Sequence, residues 1–220
     1  MKTIPLFCLC LMFWACNNQE KTSQEDQEVD KMEDTTEVSM EDADTRAMYI
    51  DVHDLGAGNV TAEAVAEAHE KDLAIQDSLD VNFVKYWVDE EQGKIYCLSK
   101  AHKESDIVDI HNSAHGLSPQ KVHKVSEGIA ADYTGDKTLY LDVHELGEDG
   151  VTAEDVAEAH EKDLAVQSDY DVNFINYWVD ESSGTVMCLS EAPNAEAVRN
   201  VHKEAHGLVP VSVAAITEGE

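Results

Sequence analysis

Ten histidines stand in this chain of 220 residues, and eight of them pair at a constant separation of 91 positions. The pairs are His53/His144, His69/His160, His111/His202 and His115/His206, while His102 and His123 have no counterpart. His111 and His115 are four residues apart, as are His202 and His206. On a helix that spacing brings two side chains to one face, with about 5–6 Å between their Cβ atoms, so both imidazoles can reach one ion. A solvated helix face can carry the same spacing with nothing to bind. His53 lies two residues after Asp51, on the same side of a strand, where the carboxylate can orient the imidazole, ligate an ion itself, or simply bind rim water. His69 shares a helical face with Val65 and Leu73. There it is either a core histidine with satisfied nitrogens or a further ligand. Cys97 reads as a small buried apolar side chain.

Motifs for other chemistries are missing. His69-Glu70-Lys71-Asp72-Leu73 begins like a zinc-protease helix but lacks the second histidine, and the chain has no G-x-S-x-G, glycine-rich phosphate loop or C-x-x-C. The expectation is a protein that is not an enzyme and that binds a transition-metal ion through His53, His69, His111, His115, His144, His160, His202 and His206. Two alternatives differ in class. One is a small barrel enzyme with an interior cavity, using His53, His69 and Tyr86 as acid–base groups; the other is a non-catalytic envelope interaction module.

The elements that position these residues are written twice. The segment from Tyr49, YIDVHDLGAGNVTAEAVAEAHEKDLAIQ, returns from Tyr140 as YLDVHELGEDGVTAEDVAEAHEKDLAVQ, and the register holds without a gap through the rest of both copies. Unit 1 is assigned to 47–128 and unit 2 to 138–220. In unit 1, Met48 to Val52 alternates as a strand and Thr61 opens a helix as N-cap; Thr152 and Asp155 add a capping-box pattern in unit 2. Val81–Val88 and Lys94–Ser99 are β-rich runs around a turn, a second helix from Glu104 stops at Gly116, and Val122–Val125 supplies a last strand. The order βαββαβ is the ferredoxin-like split βαβ. Each unit is small for independent folding and has an apolar sheet face, read as Tyr49 with Phe83/Trp87 or Tyr86, that needs cover. The predicted fold class is α+β: two tandem units forming a pseudo-dimeric α/β barrel in one chain, monomeric in solution.

Ahead of the repeat, Ile4 to Ala15 is apolar but too short to span a bilayer, and Cys16 follows a small residue and precedes polar ones. This pattern is similar to a lipoprotein signal at 1–15 with Cys16 as the lipidated residue. Residues 16–46 form an acidic, self-repelling tether; eleven acids and three basic residues lie within 17–46. The expected location is the cell envelope, on the outer membrane or the periplasmic side. The net charge of −31 repels phosphate backbones, so no nucleic-acid partner is expected, and it concentrates cations. With Cys8 and Cys10 in the signal, only Cys97 and Cys188 remain, too few for a disulfide scaffold.

Y-x-D-V-H, V-T-A-E-x-V-A-E-A-H, Y-W-V-D-E, C-L and H-x-x-x-H-G-L, present in both units, resemble a small bacterial family of dimeric ferredoxin-like proteins described as nickel-binding. The resemblance covers 49–127 and 140–218. It implies nickel as the favoured metal, with copper and zinc as alternatives, because an imidazole-rich site discriminates weakly among these ions. The anchor itself is open to a direct check. Cys16→Ser is expected to move the chain from the membrane to the soluble fraction and to abolish lipid labelling, and an unchanged labelled membrane fraction would exclude Cys16 as the anchor.

Overall fold

The computed structural model describes residues 44–148 and 150–220. The expected signal at 1–15 and Cys16 lie outside the described residues, as does the tether up to position 43; within the described part Arg46 pairs with Asp44 and Asp80. Unit 1 contains β1 (Ala47–Asp54), α1 (Ala62–Ile75), β2 (Asn82–Asp89), β3 (Lys94–Ala101), α2 (Glu104–Ala114) and β4 (Lys121–Ile129). Unit 2 repeats them as β5 (Thr138–Glu145), α3 (Ala153–Val166), β6 (Asn173–Asp180), β7 (Thr185–Ala192) and α4 (Ala195–Ala205), then a final strand broken at Ile216 into β8 (Ser212–Ala215) and β9 (Thr217–Gly219).

Local chemistry sets the helix ends. Thr61 Oγ1 accepts from the Ala64 N–H, and Thr152 and Asp155 satisfy each other's backbone N–H groups in a capping box. Gly116 and Gly207 end α2 and α4 with φ of +80° and +82°. In that left-handed conformation their N–H groups turn back to the carbonyls of His111 and His202. The last helical turns, which carry the histidine pairs, are thereby fixed in place.

The expected barrel is present, and it closes by exchange of strand ends. The last strand of unit 1 is longer than the sequence pattern suggested. Its first half pairs with β1, while Ser126–Ile129 crosses to lie antiparallel to Asn176–Val179 of β6. In the same way β8 pairs with β5, and β9 crosses to Tyr86–Val88 of β2. The strand order β8-β5-β7-β6-β4-β1-β3-β2-β9 therefore joins end to end, because β8 and β9 are two halves of one run. Closure removes exposed edges from both half-sheets.

Inside the barrel, Ile50, Trp87, Tyr96 and Leu98 meet Leu141, Trp178, Met187 and Leu189, with the two indole rings 5.0 Å apart. Two sequence expectations are corrected here. Tyr49 does not face the other unit; it packs with Phe83, Ile107 and Ile110 beneath the helices. Strand alternation forces this, since Ile50 already points into the barrel. A register shift between Phe83 and Lys85 then reverses the side of every later residue in β2, so Phe83 faces the helices while Trp87 enters the barrel. Leu73, expected in the core, is exposed; α1 buries Val65, His69 and Asp72 instead. No described helix is long and apolar enough to cross a membrane.

Glycine is required where the strands exchange. A Cβ on Gly128 would stand 2.0 Å from Cζ of Tyr177, and one on Gly219 2.1 Å from Cζ of Tyr86. Gly128→Ala or Gly219→Ala must displace a packed tyrosine ring across the unit boundary. Each is expected to cost about 1–3 kcal/mol in urea unfolding, and an unchanged midpoint would deny the close approach.

Candidate metal centre

Alternation along β1 sends Asp51 and His53 to the helix-covered face of the sheet. Cys97 lies directly opposite Asp51 on β3. The last turn of α2 brings His111 and His115 over this spot, and the inward face of α1 adds Asp72. The result is a buried string of polar groups. His53 Nε2 stands 3.1 Å from Asp51 Oδ1, and His111 Nε2 stands 3.3 Å from the same oxygen. On its other side His111 Nδ1 meets Asp72 Oδ1 at 3.2 Å, and His115 Nε2 meets Asp72 Oδ2 at 3.2 Å. Unit 2 repeats the set: His144 Nε2–Asp142 Oδ1 is 3.2 Å, His202 Nε2–Asp142 Oδ2 3.4 Å, His202 Nδ1–Asp163 Oδ1 3.1 Å and His206 Nε2–Asp163 Oδ1 3.2 Å.

In each unit two groups of donors could hold an ion, and they share one imidazole. Asp51, His53, Cys97 and His111 form the inner group; Asp72, His111 and His115 form the outer one. Asp142, His144, Cys188 and His202, with Asp163, His202 and His206, are their equivalents. Within a group all donor atoms lie within 4.8 Å of one another. Bonds of about 2.0–2.3 Å from a central ion put neighbouring donors at roughly this spacing or somewhat closer.

Asp51 and Asp142 are fully buried. Both oxygens of Asp51, Nε2 of His111 and one oxygen each of Asp142 and Asp163 have no aligned hydrogen-bond partner, although imidazoles stand within ion-pair distance. Burial would raise the pKa of Asp51, but the imidazoles of His111 and His53 outweigh it and hold the carboxyl below its ordinary value. Burial likewise pulls His111 down, yet Asp51 and Asp72 on either side push it up to about 9, and Asp142 and Asp163 push His202 up to about 10. His115, which faces its one carboxylate from a less enclosed position, is lowered by desolvation. Burial raises the Cys97 and Cys188 thiols well above their usual range. Without a metal, then, the centre is a carboxylate–imidazolium–carboxylate chain with a neutral thiol beside it.

Of the residues expected from sequence, His53, His111, His115 and their repeats come together. His69 and His160 do not join either group. His69 packs against Phe83 and Tyr86 with ring centroids 5.5 and 4.7 Å away, and desolvation lowers its pKa; His160 sits in the same way on Phe174 and Tyr177. Asp72, Asp163 and the two cysteines were not among the expected ligands. Asp72 had a signal, because it falls three residues after His69 and seven after Val65 on one helical face, in both copies. An acid on an otherwise inward-facing stripe needs a cationic partner. Access differs between the units: a cavity of about 160 Å3 adjoins His144, His160, Asp163, His202 and His206, against about 30 Å3 at the unit 1 centre.

Comparison with known proteins bears on both fold and centre. The family described as "Nickel responsive protein SCO4226-like" matches residues 49–125 and 140–216. Among solved structures, SCO4226 from Streptomyces coelicolor A3(2) is 40% identical over 35% of this chain and 93% of its own, with a TM-score of 0.33. A mutant chlorite dismutase from Candidatus Nitrospira defluvii is 7% identical over 80% of this chain and 91% of its own, TM-score 0.47, and an anthrone oxidase-like protein is 10% identical over 80% and 94%, TM-score 0.43. No curated protein matches the chain. The expectation of a non-enzymatic protein is corrected by these neighbours. A chlorite dismutase and an anthrone oxidase-like protein stand among the similar structures, and at such low identity the likeness assigns this chain no activity.

The charge chain fixes how stability depends on pH. His111 and His202 bind protons more tightly folded than unfolded, where an ordinary histidine titrates near about 6.5. Their contribution is complete below that value and is lost as pH rises through about 9 and 10. The depressed carboxyls, with Asp163 held at about 2, act oppositely: their contribution is present above the unfolded carboxylate value of about 3.9 and is lost as pH falls below it. Metal-free protein is therefore expected to lose thermal stability between pH 7 and 10. His111→Gln/His202→Gln should flatten that decline, and a decline of equal size in the variant would assign it to other groups.

Proposed function

The chain belongs to the SCO4226-like family of nickel-responsive proteins, and from that membership we propose that each unit binds one nickel-class divalent ion at its inner group. The ligands are His53, His111 and Asp51 in unit 1, and His144, His202 and Asp142 in unit 2, with Cys97 and Cys188 as the fourth donors. The observation that carries this reading is the convergence of poorly aligned imidazoles on a buried carboxylate. A fully buried Asp51 that has His53 and His111 within ion-pair distance but no aligned hydrogen bond on either oxygen is costly unless positive charge sits beside it. Imidazole, carboxylate and thiolate together suit nickel, copper or zinc better than calcium or magnesium.

In this reading Asp72 and Asp163 serve the ligands. Asp72 accepts the Nδ1–H of His111, which fixes the ring and leaves Nε2 for the ion. His115, paired with the other oxygen of Asp72, is a positioning group. The acidic surface raises the local cation concentration. The proposed setting is the cell envelope, with the chain tethered through lipidated Cys16; the residue pattern at 4–16 supports it. A monomer suffices, because one chain supplies both halves of the barrel.

Titration calorimetry with nickel and with magnesium tests the centre. Two nickel ions per chain are expected. Because His111 and His202 hold protons at pH 7.5 and Cys97 and Cys188 are neutral thiols, uptake should release about two protons per site, and affinity should fall as pH drops towards 5.5. His53→Ala/His144→Ala should abolish tight binding, whereas His115→Ala/His206→Ala should cost about 10–100-fold, as expected for a group that only orients a ligand. Equal affinity for nickel and magnesium would sink the proposal.

A further inference from the structure

One histidine without a repeat partner occupies a different place from the metal centres. His123, on β4, is buried, and its Nδ1 stands 2.8 Å from Asp180 Oδ2 of the other unit. The same carboxylate accepts from Ser183 Oγ at 2.6 Å on Oδ2 and from Ser182 Oγ at 2.6 Å on Oδ1, with the Ser182 N–H at 3.0 Å. Burial raises the pKa of Asp180, but these donors overcome it and hold the carboxyl down at about 2. In the neutral ring a fixed carboxylate beside Nδ1 keeps the proton on that nitrogen and leaves the lone pair on Nε2. Among the described residues, Nε2 has no protein hydrogen-bond partner.

His123 lines a cavity of about 440 Å3 at one end of the barrel, within the size range of small-molecule sites. Both units line it at equivalent positions, but their chemistry differs. Unit 1 contributes Lys94, Gln120, Lys121 and His123, where unit 2 has Thr185, Val211, Ser212 and Ala214. Met187, Val143 and Val211 form an apolar patch, Tyr96 adds a ring, and Asp54 and Glu145 place one acid on each side. The two lysines have only distant carboxylate partners, Lys94 at 4.0 Å from Asp54 and Lys121 at 3.8 Å from Glu145. The fold does not need the histidine: at the equivalent place Ala214 stands near the register of Asp89, which is buried with Oδ2 unpartnered.

We propose that this cavity is a binding site for a small hydroxylated aromatic molecule, with its ring against Met187, Val143 and Tyr96 and its hydroxyl donated to His123 Nε2. An acceptor held in one tautomer selects a ligand with a proton to donate, and a planar apolar body suits a wall of thioether, aliphatic and aromatic groups. The site shares no binding group with the metal centres, so it stands or falls separately from them.

The test uses 2-naphthol and 2-methoxynaphthalene, which differ in the hydroxyl proton, with the full-length protein and fluorescence or calorimetric titration. In wild type, 2-naphthol should bind about tenfold more tightly, the value of roughly one hydrogen bond. In His123→Ala, which copies the residue present in the other half, the two probes should bind equally. Long-range proton–nitrogen spectra of wild type give a readout independent of the variant's folding: 2-naphthol should shift Nε2 of His123 and leave His111, His144 and His202 unmoved. Equal binding of the two probes to wild type, a preference that survives His123→Ala, shifts at His144 or His202 in place of His123, or no binding at all would each overturn the proposal.

Discussion

The structure is organised around a carboxylate buried where only imidazoles stand beside it. Asp51 and Asp142 point from the central strand of each half-sheet into the space beneath the helices, and alternation leaves them no other direction. An isolated carboxylate there is prohibitive in energy. His111, flanked by Asp51 and Asp72, supplies positive charge as an imidazolium in the metal-free protein, and a divalent ion would supply more. The proton on His111 and a metal ion would thus fill the same electrostatic role, the one displacing the other from the imidazole.

That arrangement demands a helix end held to within a few tenths of an ångström. His111 contacts one carboxylate through each ring nitrogen, so a small rotation of α2 would lose one of them. The left-handed Gly116 after the helix and the antiparallel packing of α1 against α2 provide this precision, and the barrel behind the sheet provides the stiffness. Closure by strand exchange means that neither half-sheet can flex without disturbing the other, since the Trp87–Trp178 pair and the indole N–H bonds to Glu218 and Glu127 cross between units.

The repeat, the element order and the barrel were legible in the sequence because each rests on a local or periodic signal: the 91-residue register, Thr61 as cap, Gly116 as stop. The histidine pairs were legible for the same reason. The exchange of strand ends was not, because Ser126, Glu127 and Gly128 carry no apolar alternation and their pairing is entirely with a distant strand. The bulge in β2 was equally silent, and it alone moved Phe83 and Trp87 to opposite faces. Asp72 was passed over because helix periodicity is read from apolar residues, whereas this helix buries His69 and Asp72 and leaves Leu73 outside. A functional site is where such a reading fails, since burying polar groups is the local rule the site must break.

Duplication within one chain adds a freedom that a symmetric dimer lacks. In a homodimer every substitution appears on both sides of the axis, so a residue lining the barrel meets its own copy. Here the two candidate centres keep the same residues, while the barrel end lined by both units carries Lys94, Gln120, Lys121 and His123 on one side and Thr185, Val211 and Ser212 on the other, with one acid on each, Asp54 and Glu145. Asp180 is met by His123 and two serines; Asp89, its repeat, has Ala214 at the histidine's repeat position, Glu91 and Gln92 at those of the serines, and an oxygen left over. A lumen with a histidine on one wall only can orient an asymmetric molecule, whereas a symmetric lumen would offer it two equivalent poses. Fusing the two copies is what makes that orientation available without altering either candidate centre.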